Sequence, residues 1–238
     1  MTFQFLSINI ETTDGCNRKC HFCPNSLIDK PAEFMPLGMY TDILFQLAEG
    51  GYTGRVHLYQ RGEPLSDDRL IDWTAMARRI LPKCHLYIST NGDYLTRRVA
   101  HELLRAGMNE IEVSHYDGLR QDLMRETSHL HGLVFHYDKQ LSNPQGHWFN
   151  RGGLVDVPSS DKFKDNFCWW IFRKMGISCR GDFVLCCADW FPGKFGNVKD
   201  KTIAELFDGP LVWDYRMAHL NNKPRTMPMC EKCNMLEG

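Results

Sequence analysis

The chain of 238 residues lacks most of the features that sort a protein quickly into a class. No apolar run approaches the roughly 18 residues that a membrane span needs. Charge of either sign is not in excess: 28 Lys+Arg against 29 Asp+Glu leave −1 at pH 7. The basic residues are scattered, which removes the electrostatic case for nucleic acid or an anionic membrane. Internal repeats and low-complexity tracts are missing. The first residues carry no basic segment and too short an apolar stretch for a signal peptide, so a cytoplasmic, reducing setting is expected. With 43% hydrophobic and 24% charged residues, the composition is that of an ordinary globular protein.

What the chain does have is cysteine. Ten in 238 fall well short of the roughly 8–10% of a disulfide scaffold. A chain of this size needs no staples, so thiols in a reducing compartment point to metal or redox chemistry. Cys16, Cys20 and Cys23 stand near one end; Cys168, Cys179, Cys186 and Cys187 come late; Cys230 and Cys233 stand near the other end. Cys84 is alone and is expected to be a small buried hydrophobe.

Short apolar runs at 6–10, 56–59, 85–89, 111–115 and 133–137 alternate with helix-like stretches near 39–49, 67–80, 96–106 and 118–129. Thr96 offers an N-cap to one helix, and Gly107 stands where a terminating glycine is expected. Alternating β and α elements imply parallel strands with right-handed crossovers. Five such units exceed half of a (β/α)8 barrel and are too few to close one; an open doubly wound sheet competes. In either architecture, active groups belong at the carboxyl ends of the strands. Near residue 142 the helical period disappears into a loop rich in Pro, Gly, Ser and Asn. Beyond 165 the elements are short: a hairpin (171–178 with 183–187), a Gly196-Asn197 turn and a helix at 202–207. So little core is expected to need a metal centre. The expected division is therefore 1–150 and 151–238.

The sharpest motif is Cys16-Asn-Arg-Lys-Cys20-His-Phe-Cys23. Three thiolates in one loop can hold three irons of a 4Fe–4S cube and leave the fourth open for chemistry. The alternative is structural zinc with His21 or another residue as fourth ligand, although zinc sites favour paired C-x2–4-C units. The run resembles the signature of the radical S-adenosylmethionine (radical SAM) superfamily, with Phe22 in the aromatic position before the last Cys. Gly62-Glu63-Pro64 resembles that family's GE(P) motif, and Thr90-Asn91-Gly92 its ribose-contact position. The resemblance implies a partial (β/α)5–6 barrel of α/β class with a small C-terminal α+β lobe. It implies S-adenosylmethionine held by Phe22, Gly62, Glu63, Thr90, Asn91, Ser114 and His115, with the cofactor's amino and carboxylate groups on the open iron. Reduction of the cluster by a flavodoxin- or ferredoxin-type donor would cleave the cofactor to a 5′-deoxyadenosyl radical that takes a hydrogen atom from substrate.

The second set is Cys168, Cys186 (five residues after Gly181), Cys230 and Cys233. Four thiolates so spread suit zinc or a fully ligated cluster. Their order resembles the auxiliary twitch/SPASM lobe of radical SAM enzymes, which implies a second 4Fe–4S cluster. Cys179 and Cys187 adjoin the pattern without fitting its spacing.

Along nearly its whole length the chain resembles the short radical SAM dehydrogenases of aminocyclitol antibiotic biosynthesis. The 90–96 stretch Thr-Asn-Gly-Asp-Tyr-Leu-Thr and Asn150-Arg151-Gly152-Gly153 add to the likeness. Arg151 would then contact substrate hydroxyl or amino groups, a task suited to its rigid fork of donors. The resemblance also exposes a gap: Ala188 stands where those dehydrogenases carry a glutamate that takes the hydroxyl proton, so Asp189 or His115 is expected to substitute. The expected activity is oxidation of a carbinol carbon on a cyclitol, aminocyclitol or sugar, with the second electron passed to the auxiliary cluster. The alternatives are an epimerase with Cys187 (then Cys179) as hydrogen-atom donor, or a ribosomal-peptide maturase. Against the maturase, 15 residues before Cys16 leave no room for a leader-binding domain.

Overall fold

The computed structural model describes residues 3–115, 121–127, 129–137, 149–157 and 167–234. Strands and helices alternate as β1 (Ser7–Ile10), α1 (Leu37–Glu49), β2 (Arg55–His57), α2 (Leu70–Ile80), β3 (His85–Thr90), α3 (Arg97–Arg105), β4 (Glu110–His115), α4 (Gln121–Thr127) and β5 (Leu133–Tyr137). There follow α5 (Trp170–Arg173), β6 (Lys174–Ile177), β7 (Phe183–Val184), α6 (Ile203–Phe207) and α7 (Pro210–Leu220).

The sheet order β5-β4-β3-β2-β1-β6-β7 decides between the two candidate architectures. Strands β1 to β5 lie side by side in chain order, all parallel. A doubly wound sheet reverses direction at a switch point. From β1 to β5 no reversal occurs, so right-handed crossovers carry α1 to α4 to one face and the sheet curls around the other as part of a barrel. β6 adds a sixth parallel strand against β1, from Ser7↔Lys174 to Ile10↔Ile177. β7 then folds back antiparallel on β6.

Strand periodicity separates the two faces. Ile8, Ile10, Val56, Leu86, Ile88, Ile111 and Val113 are wholly buried among the helices, where they meet Ile43, Leu44, Leu47, Ala77 and Leu103. The alternate positions, among them Asn9, His57, Tyr87, Ser89, Glu112 and Ser114, carry the polar groups. A barrel of this construction therefore has an apolar rind and a polar interior.

Helix ends follow local chemistry. Thr96 accepts from the Val99 N–H, and Gly107 turns the chain out of α3 at φ +106°. Thr202 and Glu205 form a reciprocal capping box on α6. α2 starts at Leu70 rather than 67, because the Asp67 carboxylate is taken by the Arg69 backbone and guanidinium. The first arm of the expected hairpin differs as well: 170–173 form a helical turn, and pairing runs only through Gly176↔Val184 and Ile177↔Phe183. The apolar run there reads as strand, but Ile171 is buried and its carbonyl accepts from Arg216 of α7. The Gly196-Asn197 turn is present, with Gly196 at φ +108° and Asn197 bonded to Asp182. Cys84 is buried beside Tyr52. No helix among the described residues is long and apolar enough to cross a membrane.

One close approach sets the mouth of the barrel. The loop after β2 packs on the loop after β1 so tightly that a Cβ on Gly62 would lie 2.4 Å from the Thr13 carbonyl oxygen and 2.6 Å from that of Gly15. Glu63 N–H donates to Gly15 O at 2.7 Å across the same gap. Both obstacles are backbone and neither can swing aside. Gly62→Ala is expected to destabilise by about 1–3 kcal/mol, as overpacking does. In a thermal melt this is a fall of roughly 2–4 °C per kcal/mol.

Candidate active site

A cavity of about 460 Å³ opens inside the barrel at the carboxyl ends of the strands. Cys16, Cys20 and Cys23 line it together with Phe22, all from the loop after β1. The loop is tight: Cys23 N–H donates to Cys20 O, and the Arg18 N–H points at Cys16 Sγ from 3.5 Å. Burial pushes all three thiols up, that of Cys20 to about 11. Charge on Cys23 and on Cys16 contributes to that rise at Cys20. Three thiols whose thiolates would repel one another suit a positively charged inorganic core that displaces their protons, so the donor set fits an iron–sulfur cluster.

Glu63 faces the same space from the loop after β2 and is 4% exposed. Its carboxylate accepts from Leu65 N–H, from the Thr90 hydroxyl at 2.5 Å and from Asn91 N–H at 2.8 Å. Burial outweighs those donors and raises its pKa. Asn91 in turn donates to Asn17 Oδ1, with Cys16 Sγ 3.9 Å away, and Arg18 forms a two-pronged pair with Asp93. The stretch after β3 is thus strapped to the cysteine loop. Ser114 also lines the cavity; the side chain of His115 lies outside the described residues.

The far wall comes from the C-terminal part. Cys186 and Cys187 line the cavity. Cys230 feels the charges of Cys233 and Cys168, Cys186 those of Cys187 and Cys230, and Cys187 those of Cys233 and Cys168. Five thiols therefore converge where four were expected as ligands, and burial raises Cys187 and Cys230 to about 12. This donor set also fits a cluster with full thiolate ligation. His219, missed in the sequence as one of ten scattered histidines, joins the group. Its Nδ1 accepts from Cys168 N–H at 3.1 Å, so Nε2 carries the hydrogen and faces Cys230 Sγ at 3.5 Å. Hydrogen bonds to ligand sulfur are among the levers that set a cluster's potential.

Arg151 projects into the cavity between the two cysteine groups and electrostatically touches both, Cys23 on one side and Cys187 on the other. Three successive positive φ values, at Arg151, Gly152 and Gly153, shape its turn. The glycines matter here because a Cβ on Gly153 would lie 2.7 Å from the Lys232 side chain, and one on Gly152 3.3 Å from Ala188 Cβ. The turn is thereby seated on the segment that carries Cys230 and Cys233.

Three other sequence candidates lie apart from the lining. Ala188 is buried under Gly152. The Asp189 carboxylate accepts from Leu185 N–H, and burial raises its pKa. Cys179 is buried in the β6–β7 turn, grouped with Asp14 and Glu33 rather than with the other late cysteines. The residue that sequence reasoning overlooked altogether is Arg61. It lines the cavity, binds the wholly buried Glu11 through its backbone N–H, Nε and Nη2, and donates to Trp190 O.

Fold and site together define a class. Residues 10–126 match the radical SAM superfamily, and residues 168–234 match an iron–sulfur cluster-binding domain of the SPASM type. The chain carries a radical SAM domain, which implies S-adenosylmethionine and a 4Fe–4S cluster, and a SPASM domain, which implies auxiliary iron–sulfur binding. It is 26% identical to the S-adenosyl-L-methionine-dependent 2-deoxy-scyllo-inosamine dehydrogenase of Niallia circulans, over 97% of this chain and 93% of that one. The crystal structure of BtrN in complex with AdoMet and 2-DOIA superposes with a TM-score of 0.85 at 23% identity, covering 99% of this chain and 95% of that one. A PqqA peptide cyclase of Streptomyces rochei is 34% identical over 45% of this chain but only 29% of its own length.

The Glu11–Arg61 pair generates a test. Glu11 is completely buried and Arg61 is 12% exposed. Arg61→Met leaves a carboxylate stranded in the interior, which typically costs about 3–5 kcal/mol. Denaturant unfolding of the variant should show that loss.

Proposed function

We propose that the protein is a radical SAM dehydrogenase that oxidises a secondary alcohol on a cyclitol, aminocyclitol or related sugar to a ketone. The observation that carries this reading is a single cavity walled by both cysteine groups, with the Arg151 guanidinium between them. The full-length likeness to the Niallia circulans dehydrogenase supports it. When bound, S-adenosylmethionine and its cluster supply hydrogen-atom abstraction, and the auxiliary cluster accepts the second electron.

The protein's own residues do the rest. Cys16, Cys20 and Cys23 would hold the first cluster, and Cys168, Cys186, Cys230 and Cys233 the second. Glu63, fixed by Thr90 and Asn91, would receive the cofactor's ammonium, with Phe22, Gly62 and Ser114 around it. Arg151 would hold one face of the ring by its hydroxyl or amino groups. A flavodoxin- or ferredoxin-type protein would supply the initiating electron, and a cytoplasmic location suits such chemistry. Within this reading, 1–150 supplies the first cluster and 151–238 the second, β6 and β7 of the latter being part of the barrel sheet.

Anaerobic turnover of a panel of aminocyclitols, cyclitols and amino sugars in deuterated water tests the reaction. Mass spectrometry should find a product lacking two hydrogens, with no deuterium fixed at carbon. A product that instead gains one non-exchangeable deuterium at an inverted centre would move the assignment to epimerisation, with Cys187 as donor. Glu63 supplies a pH test. The ammonium partner needs the carboxylate form, so affinity is present above Glu63's pKa and lost as pH falls through it. Because burial raises that pKa, the loss should begin at higher pH than for an ordinary glutamate. Calorimetric titration of S-adenosylmethionine should show it, and Glu63→Gln should bind weakly with little pH dependence.

A further inference from the structure

Oxidation of an H–C–O–H unit removes a hydrogen atom, a proton and an electron. On the reading proposed above, the hydrogen atom and the electron have destinations in the two cofactor sites, and the proton has none. Ala188 carries no acid and lies under Gly152. Asp189 is engaged with Leu185 N–H. Among the described residues the one carboxylate on the cavity wall is Glu63, already held by three donors.

We propose that the hydroxyl proton leaves through the barrel interior, from Tyr59 to Tyr87 to Glu112. Tyr59 lines the cavity within electrostatic reach of Arg151 and Cys187, which places it beside the substrate arm. Its phenol interacts electrostatically with that of Tyr87, the two rings lying 5.8 Å apart. The Tyr87 hydroxyl donates to Glu112 Oε2 at 2.5 Å. Three neighbouring strand segments thus supply a row of oxygens leading from the cavity to a half-buried carboxylate, the Tyr87–Glu112 link formed and the Tyr59–Tyr87 link to be closed by a small movement of the Tyr59 ring. The chain rests on the dehydrogenase reading for its purpose and on these contacts for its existence.

The transfer balances. The substrate O–H bond breaks as its proton moves to Tyr59 Oη. The proton already on Tyr59 passes to Tyr87, and that on Tyr87 passes to Glu112. Each tyrosine ends neutral, as it began, and Glu112 ends as a carboxylic acid that can return the proton to water. The electron left on carbon goes to the auxiliary cluster as the C=O bond forms. Burial raises both phenols above their ordinary range, so neither rests as phenolate and both conduct rather than store. Facing this line are the Arg55 guanidinium 5.7 Å from the Tyr87 ring, and His57, which packs on Tyr87 with Lys174 nearby. Burial holds His57 near pKa 3, so it is neutral at working pH.

Two readouts on the holoenzyme test the proposal, using Tyr59→Phe, Tyr87→Phe and Glu112→Gln. The first is an infrared spectrum without substrate at one neutral pH, with the Glu112 carboxylate band identified by its absence in Glu112→Gln. Tyr87→Phe removes a donor to the carboxylate and should shift the frequency of that band, with Tyr59→Phe shifting it by less. An unmoved band in Tyr87→Phe overturns the chain. The second is the yield of ketone relative to 5′-deoxyadenosine. Each variant should lose ketone by about 10²–10⁴-fold, the usual worth of a positioned acid–base group. Substrate and S-adenosylmethionine affinities should hold, and 5′-deoxyadenosine should fall far less. Ketone yields within twofold of the unsubstituted protein overturn the proposal, as does a loss matched by equally weakened substrate binding. A protein that yields no ketone from any alcohol, yet shows the expected band shifts, overturns the dehydrogenase reading and keeps the connectivity.

Discussion

The Glu11 carboxylate is the point on which the site hangs. It stands just past β1 with no exposure and accepts four hydrogen bonds: three from Arg61 and one from Cys179 N–H. Those donors belong to the loop after β2 and the turn between β6 and β7. A buried carboxylate is tolerable only when its lone pairs are filled, and filling them fixes three chain segments to one point. The cysteine loop leaves β1 just beyond it, Glu63 follows Arg61 by two residues, and Cys186 lies beyond the turn. Gly62 lets the first two of these segments touch. The cavity is the space that remains between them.

The polarity of the barrel interior follows from its being incomplete. Six parallel strands curl without closing, so interior positions have no opposite wall to pack against. Apolar side chains there would face water, whereas Asn9, His57, Tyr87, Glu112 and Ser114 satisfy one another or face the cavity. Such an interior can hold a polar ring on its alternate strand positions and still keep its stability in the outer layer of Ile, Leu and Val. The C-terminal residues supply the missing wall with thiols and Arg151, which brings both cysteine groups against one volume.

Much of this was legible beforehand, for identifiable reasons. Alternation of period 2 and period 3.6 located the five βα units, since those periods are dictated by which face is buried. The C-x3-C-x2-C run and Gly62-Glu63-Pro64 were legible because loops that hold an inorganic centre confine their residue types to a few adjacent positions. The register of 170–177 was less so, because the apolar residues of a short buried helix and of a strand look alike over four positions. Arg61 carried no motif of its own. His219 was hidden for a related reason: its two partners, Cys168 and Cys230, are distant in sequence, and only packing of α7 brings them to one imidazole.

The sequence by itself determined the class of chemistry, the order of the elements and the local caps, because each depends on residues within a few positions of one another. Tertiary structure alone decided that β6 joins β1 and that Cys187 lies with the auxiliary group while Cys179 lies with Asp14 and Glu33. It also decided that Ala188 is covered by Gly152 and that Tyr59, Tyr87 and Glu112 stand in line. These are relations between segments tens of residues apart, set by which buried polar groups find partners when the chain closes on itself. No local pattern encodes them.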